Sequence, residues 1–64
     1  MSTSQLRLCE CAINAAREAL AGRIDTDTAR RVYLGAKRAG VPRDMLAPAR
    51  RFIAAAERVD GVRA

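Results

Sequence analysis

The residues able to do chemistry are few, and their spacing excludes most of what they might do. Cys9 and Cys11 are the two cysteines, and the chain has no histidine. A tetrahedral zinc site needs four ligands, which this set does not supply. Two residues apart on a helix, the thiols point about 200° away from each other, so they cannot pair within the chain. Reduced thiols in a cytosolic protein are the expectation. Cys9 as a nucleophile would need an activating base beside it, and none is evident. The seven acids are Glu10, Glu18, Asp25, Asp27, Asp44, Glu57 and Asp60. Asp25 and Asp27 precede a helix and Asp44 sits at a helix start, where acids cap backbone N–H groups and suit the positive helix end. No glycine-rich phosphate loop occurs. The expectation is therefore no catalytic residue, no metal and no cofactor: a protein that is not an enzyme. What remains is charge. Of twelve basic residues only Lys37 is lysine, and the net charge is +5. Arginine offers a flat fork of donors matched to carboxylate and phosphate, so binding is the chemistry this chain can offer.

The elements that must position those arginines are helices. Ser2 and Gln5 form an S-x-x-Q capping box that starts a helix at Thr3. Leu6, Cys9, Ile13, Ala16 and Leu20 then recur at alternating spacings of three and four, with Ala12 and Ala19 widening an apolar seam. Gly22 stops this helix. Leu8 and Cys11 fall off the seam and are read as contacts for another chain, an oligomer interface. Asp25 caps a second helix over about Thr26–Ala39. Its buried stripe is Ala29, Val32, Tyr33, Ala36 and Ala39; a second stripe, Arg30, Arg31, Leu34, Lys37 and Arg38, is basic with one leucine in it. Gly35 inside this helix costs up to about 1 kcal/mol relative to alanine, which predicts a close helix crossing there. Gly40, Val41 and Pro42 then make a sharp corner, with glycine accepting left-handed angles just past a helix end. Pro48 complicates the third helix, because proline in a helix interior removes a hydrogen bond and clashes with the preceding turn. Either a short turn covers Arg43–Leu46 and the third helix begins at Pro48, or Pro48 lies in the first turn. That helix is expected to reach about Val59, burying Ala49, Phe52, Ile53, Ala56 and Val59, with Gly61 and the tail fraying.

Sixty-four residues make one domain, and three helices with short loops predict a small all-α three-helix bundle. Many of its apolar residues are alanines, and Phe52 and Tyr33 are the aromatic residues. So thin a core predicts completion by oligomerisation, a homodimer or higher. No signal peptide and no apolar run near the roughly 18 residues of a membrane span are visible. A soluble, cytoplasmic protein is expected.

Three binding readings are open to such a chain. The basic stripe Arg30, Arg31, Leu34, Lys37 and Arg38 suits an acidic surface on another protein, and a small helical protein without chemistry fits an inhibitor, adaptor or regulator such as mobile elements encode. Alternatively, Ala36, Gly40, Val41 and Leu46 stand where a small residue, a turn glycine, an apolar turn residue and a buried recognition-helix residue are needed. Over Val32–Arg51 the chain resembles the helix-turn-helix DNA-binding motif. That resemblance implies a DNA-binding regulator in which Arg43, Asp44 and Ala47 face the groove while Arg38, Arg50 and Arg51 hold phosphates. Pro48 falls inside the recognition helix so implied, and Ala49 replaces a larger apolar residue. The third reading is a small anionic ligand held by arginines between chains. No face is broad, apolar and basic enough for a membrane surface.

Overall fold

Three helices, α1 (Thr3–Leu20), α2 (Thr26–Arg38) and α3 (Arg43–Arg63), make up the chain in a computed structural model that describes residues 2–63. They pack into an all-α bundle of 39 × 18 × 15 Å. Its axis is set by where side chains from different helices meet. Thr26 reaches Asp60 and Arg30 reaches Glu57, so α2 runs antiparallel to α3 along its length. Gln5 reaches Ala39, Cys9 reaches Met45 and Arg17 lies over Phe52, so α1 runs parallel to α3. α1 packs closely against both other helices, whereas α2 and α3 approach each other less.

Most helix ends match their sequence signals. Asp25 takes the N-cap position of α2, but its carboxylate accepts from the Thr28 hydroxyl and makes no capping bond to the backbone, and Asp27 lies inside the first turn. Ser2 caps α1: its hydroxyl accepts from the Gln5 backbone N–H at 3.1 Å, and the Gln5 side chain accepts from the Ser2 N–H at 2.9 Å. A cap of this kind is worth about 1 kcal/mol. α1 and α2 end alike. Gly22 (φ 80°) and Gly40 (φ 92°) take left-handed angles, and the two residues after each helical cap bond back into the last turn: Gly22 to Ala19 and Arg23 to Glu18, Gly40 to Lys37 and Val41 to Ala36. These bonds satisfy carbonyls that the helix itself leaves open. Gly40 is doubly required, since a Cβ there would lie 3.0 Å from Gln5 Nε2.

The core is Cys9, Ala12, Ala16 and Ala19 of α1, Ala29 and Ala36 of α2, Val41 of the corner, and Leu46, Ala49, Ile53 and Ala56 of α3. Alanine dominates it, and Leu46 is the largest side chain fully buried. The α1 seam is the expected one at Cys9, Ala12, Ala16 and Ala19, with Ile13 packed against it, but close approach of the alanine faces leaves its outer edge uncovered. Leu6 and Leu20 are 43% and 36% exposed, while Leu8, expected to face another chain, packs against its own core. Ala39 is likewise exposed rather than part of the α2 stripe. Cys11 is exposed and free.

Two further expectations are corrected. An added Cβ at Gly35 would meet nothing within 4 Å; no helix crosses there. The third helix begins at Arg43, not at Pro48, and Pro48 is its sixth residue, in the second turn. The Pro42 carbonyl accepts the first N–H groups, from Met45 and Leu46, and Pro48 sits on the solvent face. The Asp44 carbonyl, which loses its i+4 donor to the proline ring, is on the same exposed face and open to water. Burial of Leu46 and Ala49 on either side holds the helix through the defect. Gly61 does not end it: α3 continues to Arg63.

Candidate functional site

Between α2 and α3, which pack against each other less than either does against α1, lies a groove of about 250 Å³ lined by Arg30, Tyr33, Leu34, Arg50, Ile53, Ala54 and Glu57. The antiparallel register explains the set. Positions whose numbers sum to about 87 face each other across the pair, as Arg30 and Glu57 do, and this brings Leu34 opposite Ile53. Tyr33, Leu34, Ile53 and Ala54 form an apolar floor. Arg30 and Arg50 stand at its rim.

The basic residues singled out from the sequence are not equivalent in this setting. Arg30 is committed: it donates to Glu57 at 2.5 Å and to Asp27 at 3.3 Å. The Glu57 hydrogen bond and charge, then the Asp27 charge, push its already high pKa further up. All three side chains are about half or more exposed, so water screens the pairs and they contribute little to stability. Lys37, two turns beyond Arg30, lies on the same flank of α2 and is exposed. Arg31 and Arg38, also two turns apart, lie about 100° round from that flank, on the outer side of α2. Arg31 there faces the Asp25 end of the helix, where its charge adds to the lowering of the Asp25 pKa, caused first by the Thr28 hydroxyl hydrogen bond. On α3, Arg43, Arg50 and Glu57 repeat every seven residues along the groove flank, and Arg51 and Asp44 lie progressively further round. Among the described residues, Arg38, Arg43, Arg50 and Arg51 make no ion pair, and all are exposed.

Of the five residues expected to bind a protein partner, the groove thus gathers Arg30 and Leu34, with Lys37 adjoining, and leaves Arg31 and Arg38 outside. Of the DNA-facing set it takes Arg50. It also recruits Tyr33, Ile53, Ala54 and Glu57, which periodicity alone assigns to core or solvent. The seven-residue recurrence Arg43–Arg50–Glu57 is the available signal, but it gains meaning only once α2 is known to lie antiparallel alongside. One more polar contact has no forerunner in the sequence: buried Thr26 donates to Asp60 Oδ2, residues 34 apart with no pattern linking them.

Chemically the groove can hold one bulky apolar side chain and present cations to what flanks it. Its volume falls below the roughly 300–1,000 Å³ usual for small-molecule sites. Among the described residues no group of three or more Cys, Asp or Glu is placed to hold a metal ion, and no helix is long and apolar enough to cross a membrane. No family model, no curated protein and no solved structure matches this chain.

Proposed function

We propose that the chain is a non-enzymatic binding protein that regulates another protein, as an inhibitor or adaptor, by docking an acidic amphipathic helix of that protein into the α2/α3 groove. It works in the cytoplasm as a homo-oligomer. The observation that carries the reading is the pairing of an apolar floor, Tyr33, Leu34, Ile53 and Ala54, with an unpaired Arg50 at its edge. An apolar anchor would fill the groove, and carboxylates beside it would meet Arg50, Lys37 and Arg43. Helix-in-groove recognition uses this division, apolar contact for affinity and flanking charge for orientation. Leu34→Asp and Arg50→Glu should each abolish capture of an acidic partner from nuclease-treated lysate while far-UV circular dichroism stays helical. Arg31→Glu, on the outer side of α2, should leave capture intact. Loss of capture on nuclease treatment, or undiminished capture by Leu34→Asp, sinks the reading.

A second reading, a helix-turn-helix DNA-binding regulator, draws support from the corner itself. Ala36, Val41, Leu46 and Ala49 are buried, Gly40 takes the left-handed turn angle, and α3 begins at Arg43. Against it, the motif joins helices at about 90–120°, whereas α2 runs back along α3 antiparallel as far as Thr26 and Asp60. This reading requires retention on duplex DNA that weakens steeply with salt and is lost on charge reversal at Arg43 and Arg50.

A further inference from the structure

The face of the bundle away from the groove, between α1 and α3, carries bulky side chains that the core covers only in part or not at all: Ile13 and Phe52 pack against it, while Leu6, Leu20 and Met45 stand exposed. Leu6, Ile13 and Leu20 succeed one another at seven-residue intervals on α1, and Met45, Phe52 and Val59 do the same on α3. The two rows flank one seam, since Cys9 Sγ donates to the Met45 carbonyl and Arg17 lies 5.8 Å from the Phe52 ring centre. Leu6, Met45 and Leu20 are 43%, 42% and 36% exposed, and the other three are half-buried. The chain exposes 4444 Å², where a compact monomer of its mass would expose about 4,000 Å².

The polar residues on this face say what covers it. Glu10 and Arg17 are also seven apart and run beside the leucine row. Turn a second α1 about a two-fold axis through Ile13, perpendicular to the helix. Leu6 then falls on Leu20, Ile13 on itself, and Glu10 on Ala16, one residue and about 1.5 Å along the helix from Arg17, within reach of the long arginine side chain. The apolar row is its own mirror under this reversal, and each Glu10 comes within one residue of an Arg17 of opposite sign. A two-fold interface must be self-complementary in this way. Area is sufficient as well. An 18-residue helix is about 27 Å long, and two helices about 10 Å apart present about 500 Å² in plan on each copy. That gives about 1,000 Å² in all before corrugation, at the threshold for a specific interface.

We infer that the chain forms a two-fold homodimer through this face, α1 antiparallel to α1 of the second copy about Ile13, with two Glu10–Arg17 pairs between copies. The interface is separate from the α2/α3 groove and stands without any reading of that groove. It also replaces Leu8 and Cys11 as the contact between chains.

Sedimentation equilibrium on the full chain tests it. Wild type should sediment as a dimer of the 6.9 kDa chain. Glu10→Arg and Arg17→Glu each place like charges together twice across the axis, and should weaken self-association by roughly tenfold or more. An equimolar mixture of the two variants should recover a dimer, because each copy then faces the opposite charge at both positions. That recovery cannot come from a variant that has simply lost its fold. A monomeric wild type at sub-millimolar concentration, unchanged association in both single variants, or a mixture that stays monomeric overturns the inference.

Discussion

Both ends of the Gln5 carboxamide are engaged: Oε1 accepts the Ser2 N–H that starts α1, and Nε2 donates 2.9 Å to the Ala39 carbonyl that ends α2. Gln5→Glu would keep the first bond and lose the second, and would set a carboxylate against the negative end of a helix. A loss of about 1–2 kcal/mol is expected by urea denaturation; a variant as stable as wild type would show that the Ala39 bond contributes nothing. Two glycines make a matched pair. Gly40→Ala should cost about 1–2 kcal/mol, since left-handed angles penalise any Cβ and this one meets Gln5. Gly35→Ala, exposed, helical and with open space around its new methyl, should instead stabilise by about 0.5–1 kcal/mol. At Asp25, the Thr28 hydroxyl holds the carboxyl below its usual pKa. The stability so gained is present above the ordinary carboxylate pKa of about 4 and is lost as pH falls through the lowered value. Thr28→Val should move the Asp25 titration, tracked by NMR, up toward the ordinary value; no movement would separate the two groups.

At the scale of elements, termini are the most legible feature of the sequence and packing the least. Ser2, Asp25, Gly22 and Gly40 each act through bonds within a few residues, so local sequence suffices to place α1 and α2. The inward seam of α1 is legible at Cys9, Ala12, Ala16 and Ala19, but its edges are not. Whether Leu6 and Leu20 or Leu8 lies nearer the core depends on how closely alanine lets the neighbouring helices come. The groove shares this property: its floor draws on two helices at once, and neither stripe carries a mark of the other. Pro48 misleads for a related reason. Its local penalty is real, but Leu46 and Ala49 bury on the opposite face and carry the helix across it. Pro48→Ala should therefore stabilise, by about 1–3 kcal/mol, because it restores a bond to the Asp44 carbonyl and removes a ring clash. A thermal midpoint unchanged by the substitution would mean that the helix relaxes fully around the proline.

For the molecule as a whole, the decisive quantity is how little bulk one copy buries. A chain of this length is expected to have about 3–10 kcal/mol of stability in total. Leu46, among the described residues the one large side chain fully enclosed, belongs to a core otherwise made mostly of alanine faces. Leu46→Ala should cost about 3–5 kcal/mol, a large share of everything available. The variant should be substantially unfolded in dilute solution at room temperature. Association adds free energy that grows with concentration only for the folded state, so concentrating the variant should restore helical circular dichroism if copies pair through α1. Glu10→Arg added to Leu46→Ala should remove that recovery. If helicity is instead the same at all concentrations, the alanine core holds the bundle unaided, and the exposed leucines have no part in its folding.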